Sequence, residues 1–481
     1  MSVMAQSVPS VLCRASAWIF HKLAFIAFRN KPHKAEISTF VRPFGLIQYI
    51  MVTTEQLYSL FKQHSVCTTD TRDCPPGSIF FALRGTTFNG NDFALKALEA
   101  GCAYAVVDDP SLPADERLLQ VPDVLLALQQ LAAYHRKMWG GPVVQITGTN
   151  GKTTTKELTA AVLQRKFNVL FTQGNFNNHI GVPKTLLRLT RKHQIAVIET
   201  GANHPGEIAT LSHIVQPDCG LITNVGTAHL EGFGSFEGVL HTKGELYEQL
   251  RSQPKGLVFL HADDMHLTSI VGSLPTVTYG APGQGYDVEG EVLQAAPFLT
   301  FRFRVRGGAW QTVRTQLIGD YNLPNALAAV AVGTHWGVSP EDAAQALADY
   351  RPTNNRSQWL RTERNELIVD AYNANPTSMR AALQNFAAID HPHKLLILGE
   401  MRELGDASQE EHKLIAELAR KTQPEEVWFV GREFEPFADG SRWFPDVEAV
   451  KEALQEKPLK DRLILIKGSN GTRLYQLPEF L

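Results

Sequence analysis

Residues 143–156, Val-Val-Gln-Ile-Thr-Gly-Thr-Asn-Gly-Lys-Thr-Thr-Thr-Lys, place an apolar run directly before a Gly-x-x-Gly-Lys-Thr turn and a helix-forming stretch. Gly148 and Gly151 let the backbone turn without a Cβ, so that successive N–H groups and a helix N-terminus point at an anion. Lys152 then reaches the outer phosphates of a nucleotide, and Thr153 offers its hydroxyl to a bound Mg²⁺. The strict G-x-x-x-x-G-K-[ST] spacing is not met, because Ile146 stands where the first glycine belongs. Strand, glycine pair, lysine and hydroxyls still occur in the order a phosphate cradle needs, which favours that reading over an ordinary strand-to-helix loop.

Other polar residues punctuate apolar runs in the same way. Glu199 ends Ile195-Ala-Val-Ile-Glu and projects where a metal beside the phosphates would sit; a carboxylate there suits Mg²⁺, although a strand-end glutamate is more often a solvated rim residue. His229 lies in the glycine-punctuated loop after Cys219–Thr223, the kind of loop in which parallel sheets build sites. Lys243, in His-Thr-Lys-Gly-Glu245, reads as a surface lysine. Asp370-Ala-Tyr-Asn-Ala-Asn-Pro376 offers a carboxylate, an aromatic face and two amides to a ribose and a base. A loop of turn formers before a helix accounts equally well for its Asn and Pro, but not for the Asp.

At 481 residues the chain is too long for one core and divides into about three domains on length alone. Its 46 basic and 49 acidic residues make no global positive field, so nucleic acid is not an expected partner. Five cysteines without a C-x-x-C pair fit neither a disulfide framework nor a zinc site, and fit a reducing cytoplasm. Residues 1–50 carry a net +5, which leaves −8 on the remainder. Their apolar stretch 17–28 is interrupted by His21 and Lys22 and is too short to span a bilayer. The segment is either a targeting leader or sequence ahead of a true start at Met51; it lacks a small-residue cleavage site, and we expect it to lie outside the fold.

The elements that must position these residues are legible from periodicity. Residues 51–120 read as a small α/β unit, with helices near Thr54–Phe61 and Asp92–Ala100 and strands at Ser78–Leu83 and Tyr104–Asp108. A helix at Val124–Met138 leads into the phosphate strand, and strands at Gln194–Glu199 and Cys219–Thr223 alternate with helices as in parallel βαβ units. Residues 286–318 break this pattern with short strands, as in Phe298–Val305. A third α/β unit follows Arg351–Arg356, with strands at Glu366–Asp370, Lys394–Leu398, Glu426–Val430 and Arg462–Ile466.

Together the motifs resemble the Mur ligases. The likeness covers residues 51–481, and its pieces stand in family order: Thr69-Asp-Thr-Arg72 with Gly77 to Gly85, Gly148 to Thr154, Gly174-Asn-Phe-Asn-Asn178, Glu199, Thr223 to His229, Lys243-Gly-Glu245, Asn322 with Asn325, Arg356, Asp370 to Pro376, and Leu398-Gly-Glu-Met-Arg-Glu-Leu-Gly405. The resemblance implies an α/β fold of three domains. A small N-terminal α/β domain (51–120) would hold a UDP-sugar peptide. A central P-loop-type, mostly parallel sheet with helices (121–351) would hold ATP. A C-terminal Rossmann-like α/β domain (352–481) would close over the nucleotide.

By position, the resemblance implies that Gly148, Thr149, Asn150, Gly151, Lys152, Thr153 and Thr154 take the phosphates, while Asn322, Asn325, Arg356, Asp370 and Tyr372 complete the ATP site. Thr153 and Glu199 would hold one Mg²⁺; His229 and Lys243, the latter as a CO₂-derived carbamate, would serve a second. Lys152, Glu199, His229 and Lys243 form the expected catalytic set, and Thr71, Arg72 and Asn178 are candidates for the UDP-sugar peptide. The implied substrates are UDP-MurNAc-tripeptide and D-alanyl-D-alanine, joined with ATP through an acyl phosphate by a cytoplasmic monomer without stable membrane insertion. The Asp-Asn-Pro-Arg signature of the sister ligase that adds the third residue is absent. The chain departs from the family pattern at Tyr321, at His261 and at Lys467-Gly-Ser-Asn-Gly-Thr472.

Overall fold

The computed structural model describes residues 51–226, 230–353 and 355–481, so the expectation for residues 1–50 lies outside the described residues. Three sheets organise the chain from Met51 onward. The first has four parallel strands in sequence order, Cys67–Thr68, Ile79–Phe81, Tyr104–Val107 and Leu118–Gln120. Its outer two strands escaped the sequence reading because they are only two and three residues long. The helix expected at 92–100 begins as a 3₁₀ turn at Gly90–Phe93 before Ala94–Glu99.

Helix Val124–Trp139 is capped by the Asp123 side chain on the Leu126 N–H and ends on the left-handed Gly140. Its Leu128, Leu131 and Ala132 join Phe81, Val106 and Leu119 to Val143, Ala196 and Ile198 in one apolar cluster. The core therefore runs without a break from the first sheet into the second.

The second sheet has nine strands in the spatial order Gln311–Arg314, Thr300–Val305, Val288–Gln294, Thr276–Gly280, Leu257–His261, Cys219–Ile222, Val143–Thr147, Ile195–Glu199 and Val169–Phe171. Only the pairings among the first three are antiparallel. Every residue of Val143–Thr147 and Ile195–Glu199 is buried, as expected where helices cover both faces of a parallel sheet. The buried Gln145 donates to the Thr200 and Ser212 hydroxyls at 2.9 and 2.8 Å, which removes the cost of an unpaired amide N–H in that core. Val143–Thr147 lies between Ile195–Glu199 and Cys219–Ile222, so three neighbouring strands deliver their loops to the same edge. The connection order reverses there, which is where open α/β sheets form ligand crevices.

The third sheet runs Gln358–Arg361, Glu366–Asp370, Leu463–Lys467, Lys394–Gly399, Glu426–Val430 and Arg442–Phe444, with only the first pair antiparallel. The sequence gives the four inner strands as apolar runs; the two edge strands are short and partly exposed. Among the described residues no helix is long and apolar enough to cross a membrane.

Helix Leu323–His335, buried on every side from Asn325 to Gly333, packs on helix Lys152–Leu163. A Cβ on Gly333 would stand 2.3 Å from Val162 Cγ1, a stiff β-branched side chain. We therefore expect Gly333→Val to destabilise the protein by about 1–3 kcal/mol through overpacking, read as a lowered urea midpoint. An unchanged midpoint would show that the two helices are not held this closely.

Candidate functional site

The phosphate-loop glycines do different work. Gly148 has φ +141°, and a Cβ there would fall 2.0 Å from Thr223 Oγ1; Gly151 has φ +78°, with the Asn325 amide 2.6 Å from where a Cβ would be. The loop is pinned to the next strand end: the Thr149 N–H donates to Asn224 O, the Asn150 N–H to Asn224 Oδ1, and Thr223 Oγ1 to Asn150 O at 2.6 Å. The Thr149 and Asn150 amides of the expected cradle are thus already committed. Gly151 caps helix Lys152–Leu163 without a side-chain bond, so the donors left for an anion are the N–H groups of the first helical turn, which have no intrahelical acceptors.

Lys152 is half-buried and donates to the carbonyls of Gly148 and Thr149, each at 2.8 Å. Burial pulls its pKa down to about 8; Glu199 opposes that fall and Arg356 adds to it. Glu199 is 0% exposed. Its Oε1 accepts from Thr153 Oγ1 at 3.1 Å and Asn177 Nδ2 at 2.8 Å, while its buried Oε2 has no hydrogen-bond partner. An orphaned carboxylate oxygen at zero exposure costs several kcal/mol unless a cation completes it. Thr153 and Glu199 therefore present an oxygen set of the kind Mg²⁺ takes, with room for phosphate oxygens as further ligands.

These residues form one wall of a cavity of about 770 Å³ that spans the central and third sheets. Thr149 to Thr154, Glu199, Asn322, Asn325, Arg356, Asp370 and Tyr372 all line it; Gly148 does not, and acts through backbone shape alone. On the opposite wall the Arg356 guanidinium lies 3.9 Å from the Tyr372 ring centroid. Asn355 and Ser357 flank it with φ +56° and +45°, left-handed conformations that turn the chain sharply on either side of the arginine. Asp370 and Lys467 are cross-strand neighbours and their side chains pair at 2.5 Å. The other Asp370 oxygen accepts the Ser357 N–H at 3.3 Å. Lys467 was not among the expected site residues, though its place at the end of an apolar parallel strand is the same signal that marks Glu199.

Two expectations change. Lys243 is not a surface lysine: it is 3% exposed within helix Phe236–Arg251, with Nζ 3.4 Å from Ala202 O and 5.1 Å from the Phe233 ring centroid. Burial, reinforced by Lys152 and opposed by Glu207 and Glu245, lowers its pKa to about 7. Asn375, one of the two amides offered to a ribose and base, instead caps helix Pro376–Ala388 and donates to Asn150 Oδ1 at 2.8 Å. Neither Thr71 nor Arg72 lines the cavity; Arg72 pairs with Asp70 in its own exposed loop. Asn178 lines the cavity, and its Oδ1 accepts the Gly181 N–H at 2.8 Å where Gly181–Leu186 begins. His229 lies outside the described residues.

Family models match almost the whole of this framework: the Mur ligase family catalytic domain over residues 64–136, the Mur ligase middle domain over 146–333, and the Mur ligase glutamate ligase domain over 355–470. The UDP-N-acetylmuramoyl-tripeptide–D-alanyl-D-alanine ligase of Bacillus subtilis is 35% identical over 86% of this chain and 92% of its own length. The Escherichia coli protein of that name is 36% identical over 85% and 92%. The crystal structure of MurF from Acinetobacter baumannii superimposes with a TM-score of 0.76 at 34% identity, covering 86% of this chain and 92% of that one. MurF from Thermotoga maritima in complex with ADP gives 0.75 at 26% identity, over 86% and 96%. The chain belongs to the Mur ligase family.

Proposed function

We propose that this chain ligates D-alanyl-D-alanine to UDP-MurNAc-tripeptide with ATP, giving UDP-MurNAc-pentapeptide, ADP and phosphate for peptidoglycan synthesis. The observation that carries the ATP half of this reading is the phosphate loop beside the orphaned oxygen of Glu199, in a cavity closed on its far side by Arg356, Asp370 and Tyr372. The peptide half draws on the named relatives, which this chain matches along most of their length.

A carboxylate is a poor electrophile, so its oxygen must first take the γ-phosphoryl group of ATP. The first-turn N–H groups of helix Lys152–Leu163 and the Lys152 ammonium hold the phosphates, and the ammonium neutralises charge on the group in transfer. The Arg356 and Tyr372 pair, with Asp370, Asn322 and Asn325, serves the rest of the nucleotide. The D-alanyl-D-alanine amine then attacks the acyl carbon, the carbon–oxygen bond to phosphate breaks, and the amine gives up a proton. Water must be excluded while the acyl phosphate exists, and closure of residues 352–481 over 121–351 does this. Thr71, Arg72 and Asn178 take the UDP-sugar peptide beside residues 51–120, with Arg72 exchanging Asp70 for a ligand anion.

Thr153 and Glu199 would hold Mg²⁺, with His229 and a Lys243 carbamate serving a second ion; bound there, the metal supplies positive charge against the phosphates. Among the described residues no three His, Cys, Asp or Glu side chains cluster, so the hydroxyl, the carbamate and the nucleotide itself must contribute ligands. The setting of Lys243 favours the carbamate: an ammonium that is buried against one carbonyl and an aromatic face gives way to the neutral amine, which is the form that adds CO₂.

Phosphate release and product mass, measured with ATP, Mg²⁺ and UDP-MurNAc-tripeptide with and without D-alanyl-D-alanine, test the reading. Product that forms only with the dipeptide supports it, and dipeptide-independent behaviour sinks it. Lys152→Ala should lower kcat at least about 100-fold, while the loss of its two carbonyl contacts costs stability of only about 0.5–1.5 kcal/mol. A rate within about tenfold of wild type, ~1.4 kcal/mol of barrier, would refute its role. Lys243→Ala should be nearly inactive and partly restored by a short added carboxylate; full activity without rescue would remove the carbamate from the mechanism.

A further inference from the structure

The Asn375 side chain is divided between two tasks. Its Oδ1 accepts the Ser378 N–H at 2.9 Å and its own N–H donates to Ser378 Oγ at 3.1 Å, a closed capping box at the start of helix Pro376–Ala388. Its Nδ2 is then left to donate to Asn150 Oδ1 at 2.8 Å, across 225 positions of sequence. Asn375 is buried, and Asn150 is the phosphate-loop residue whose backbone N–H and carbonyl are both fixed by Thr223 and Asn224. The bond therefore joins the third sheet's first helix to the most tightly held point of the loop. One residue later Gly151 takes its left-handed turn and the phosphate-binding helix begins. Close by, Thr377 Oγ1 lies 3.6 Å from where a Cβ on Gly226 would stand.

From this geometry we infer that Asn375 is a positioning residue of the ligation: through Asn150 it docks residues 352–481 onto the phosphate loop, so that the third domain seats only on a loop already in phosphate-binding shape. A cap needs only the amide oxygen. The Nδ2 bond does nothing for the helix and has no partner once the two domains part. Seating and loop geometry thus share one bond, and the wall carrying Arg356, Asp370 and Tyr372 comes into register with the first-turn N–H groups in a single step. Asn375 touches neither reacting atom in this account; it acts through Asn150.

The inference rests on the ligase reading above, so wild-type product formation is the entry condition: without it that reading fails, independently of Asn375. Given an active wild type, Asn375→Ser keeps a good N-cap but is too short to reach Asn150. We expect an unchanged melting temperature and a kcat lower by about tenfold to a hundredfold, the scale of a misplaced catalytic frame. Phosphate released per product should also rise, because a poorly seated domain exposes the acyl phosphate to water. Asn150→Ala removes the same bond without touching the cap and should reproduce the loss, and the double variant should be no worse than the poorer single one. Wild-type kcat in Asn150→Ala, or losses that multiply in the double variant, overturns the inference even if Asn375→Ser proves unstable.

Discussion

A carboxylate with one unpartnered oxygen sits at zero exposure at the end of a fully buried parallel strand, and the arrangement around it follows from the need to tolerate that charge. Thr153 and Asn177 satisfy one oxygen, the Thr172 hydroxyl accepts the Glu199 N–H, and Lys152 contributes a cation from the neighbouring strand loop. Glu199 is itself part of the cavity lining. In an apolar interior such a group needs positive charge near it, and Lys152 supplies part of that charge. The fold makes this placement possible because Val143–Thr147 lies between two parallel strands whose ends deliver Glu199 and the Thr223–Asn224 clamp to either side of the glycine turn.

The third domain supplies the complementary half by the same device. Asp370 and Lys467 end adjacent parallel strands and fix each other, which frees neither for solvent and holds the Arg356 and Tyr372 stack at the cavity wall through Ser357. Two sheets with unrelated strand orders thus turn their carboxyl edges toward one space, and a nucleotide phosphate chain there meets cationic and hydrogen-bonding groups from both.

What could be read in the sequence divides along the range of the interaction. The phosphate turn, the strand-end Glu199, the two strands flanking the phosphate strand and the four inner strands of the third sheet were legible, because apolar runs and glycine turns are local signals; Leu257–His261, Thr276–Gly280 and Val288–Gln294 were not named. Short edge strands such as Gln358–Arg361 were not, since pairing on one side needs no apolar run. The residues around Lys243 taken alone read as surface, because its burial comes from the Ala202 loop and the Phe233 ring, which the sequence does not announce as neighbours. Asn375 was legible as a turn former, but its reach to Asn150 spans 225 positions and exists only in the assembled domains. The committed amides of Thr149 and Asn150 belong to the same class, because their acceptor lies on another strand loop.

Four lysines near the site show how compensation separates structural from chemical roles. Lys156 is wholly buried and answered by Thr172 O at 2.6 Å and Glu157 at 2.7 Å; Lys467, 1% exposed, is answered by Asp370 at 2.5 Å. Each has a full countercharge inside the protein, so neither has charge to spare for a ligand. Lys152 is held only by two neutral carbonyls of its own loop, contacts weaker than an ion pair in a low-dielectric pocket. Lys243 is the extreme case, with one carbonyl at 3.4 Å, an aromatic face and a second lysine acting against its charge. An ammonium so placed is easier to neutralise than to keep. The less a lysine here is answered by the protein, the more readily its ammonium is neutralised or re-paired.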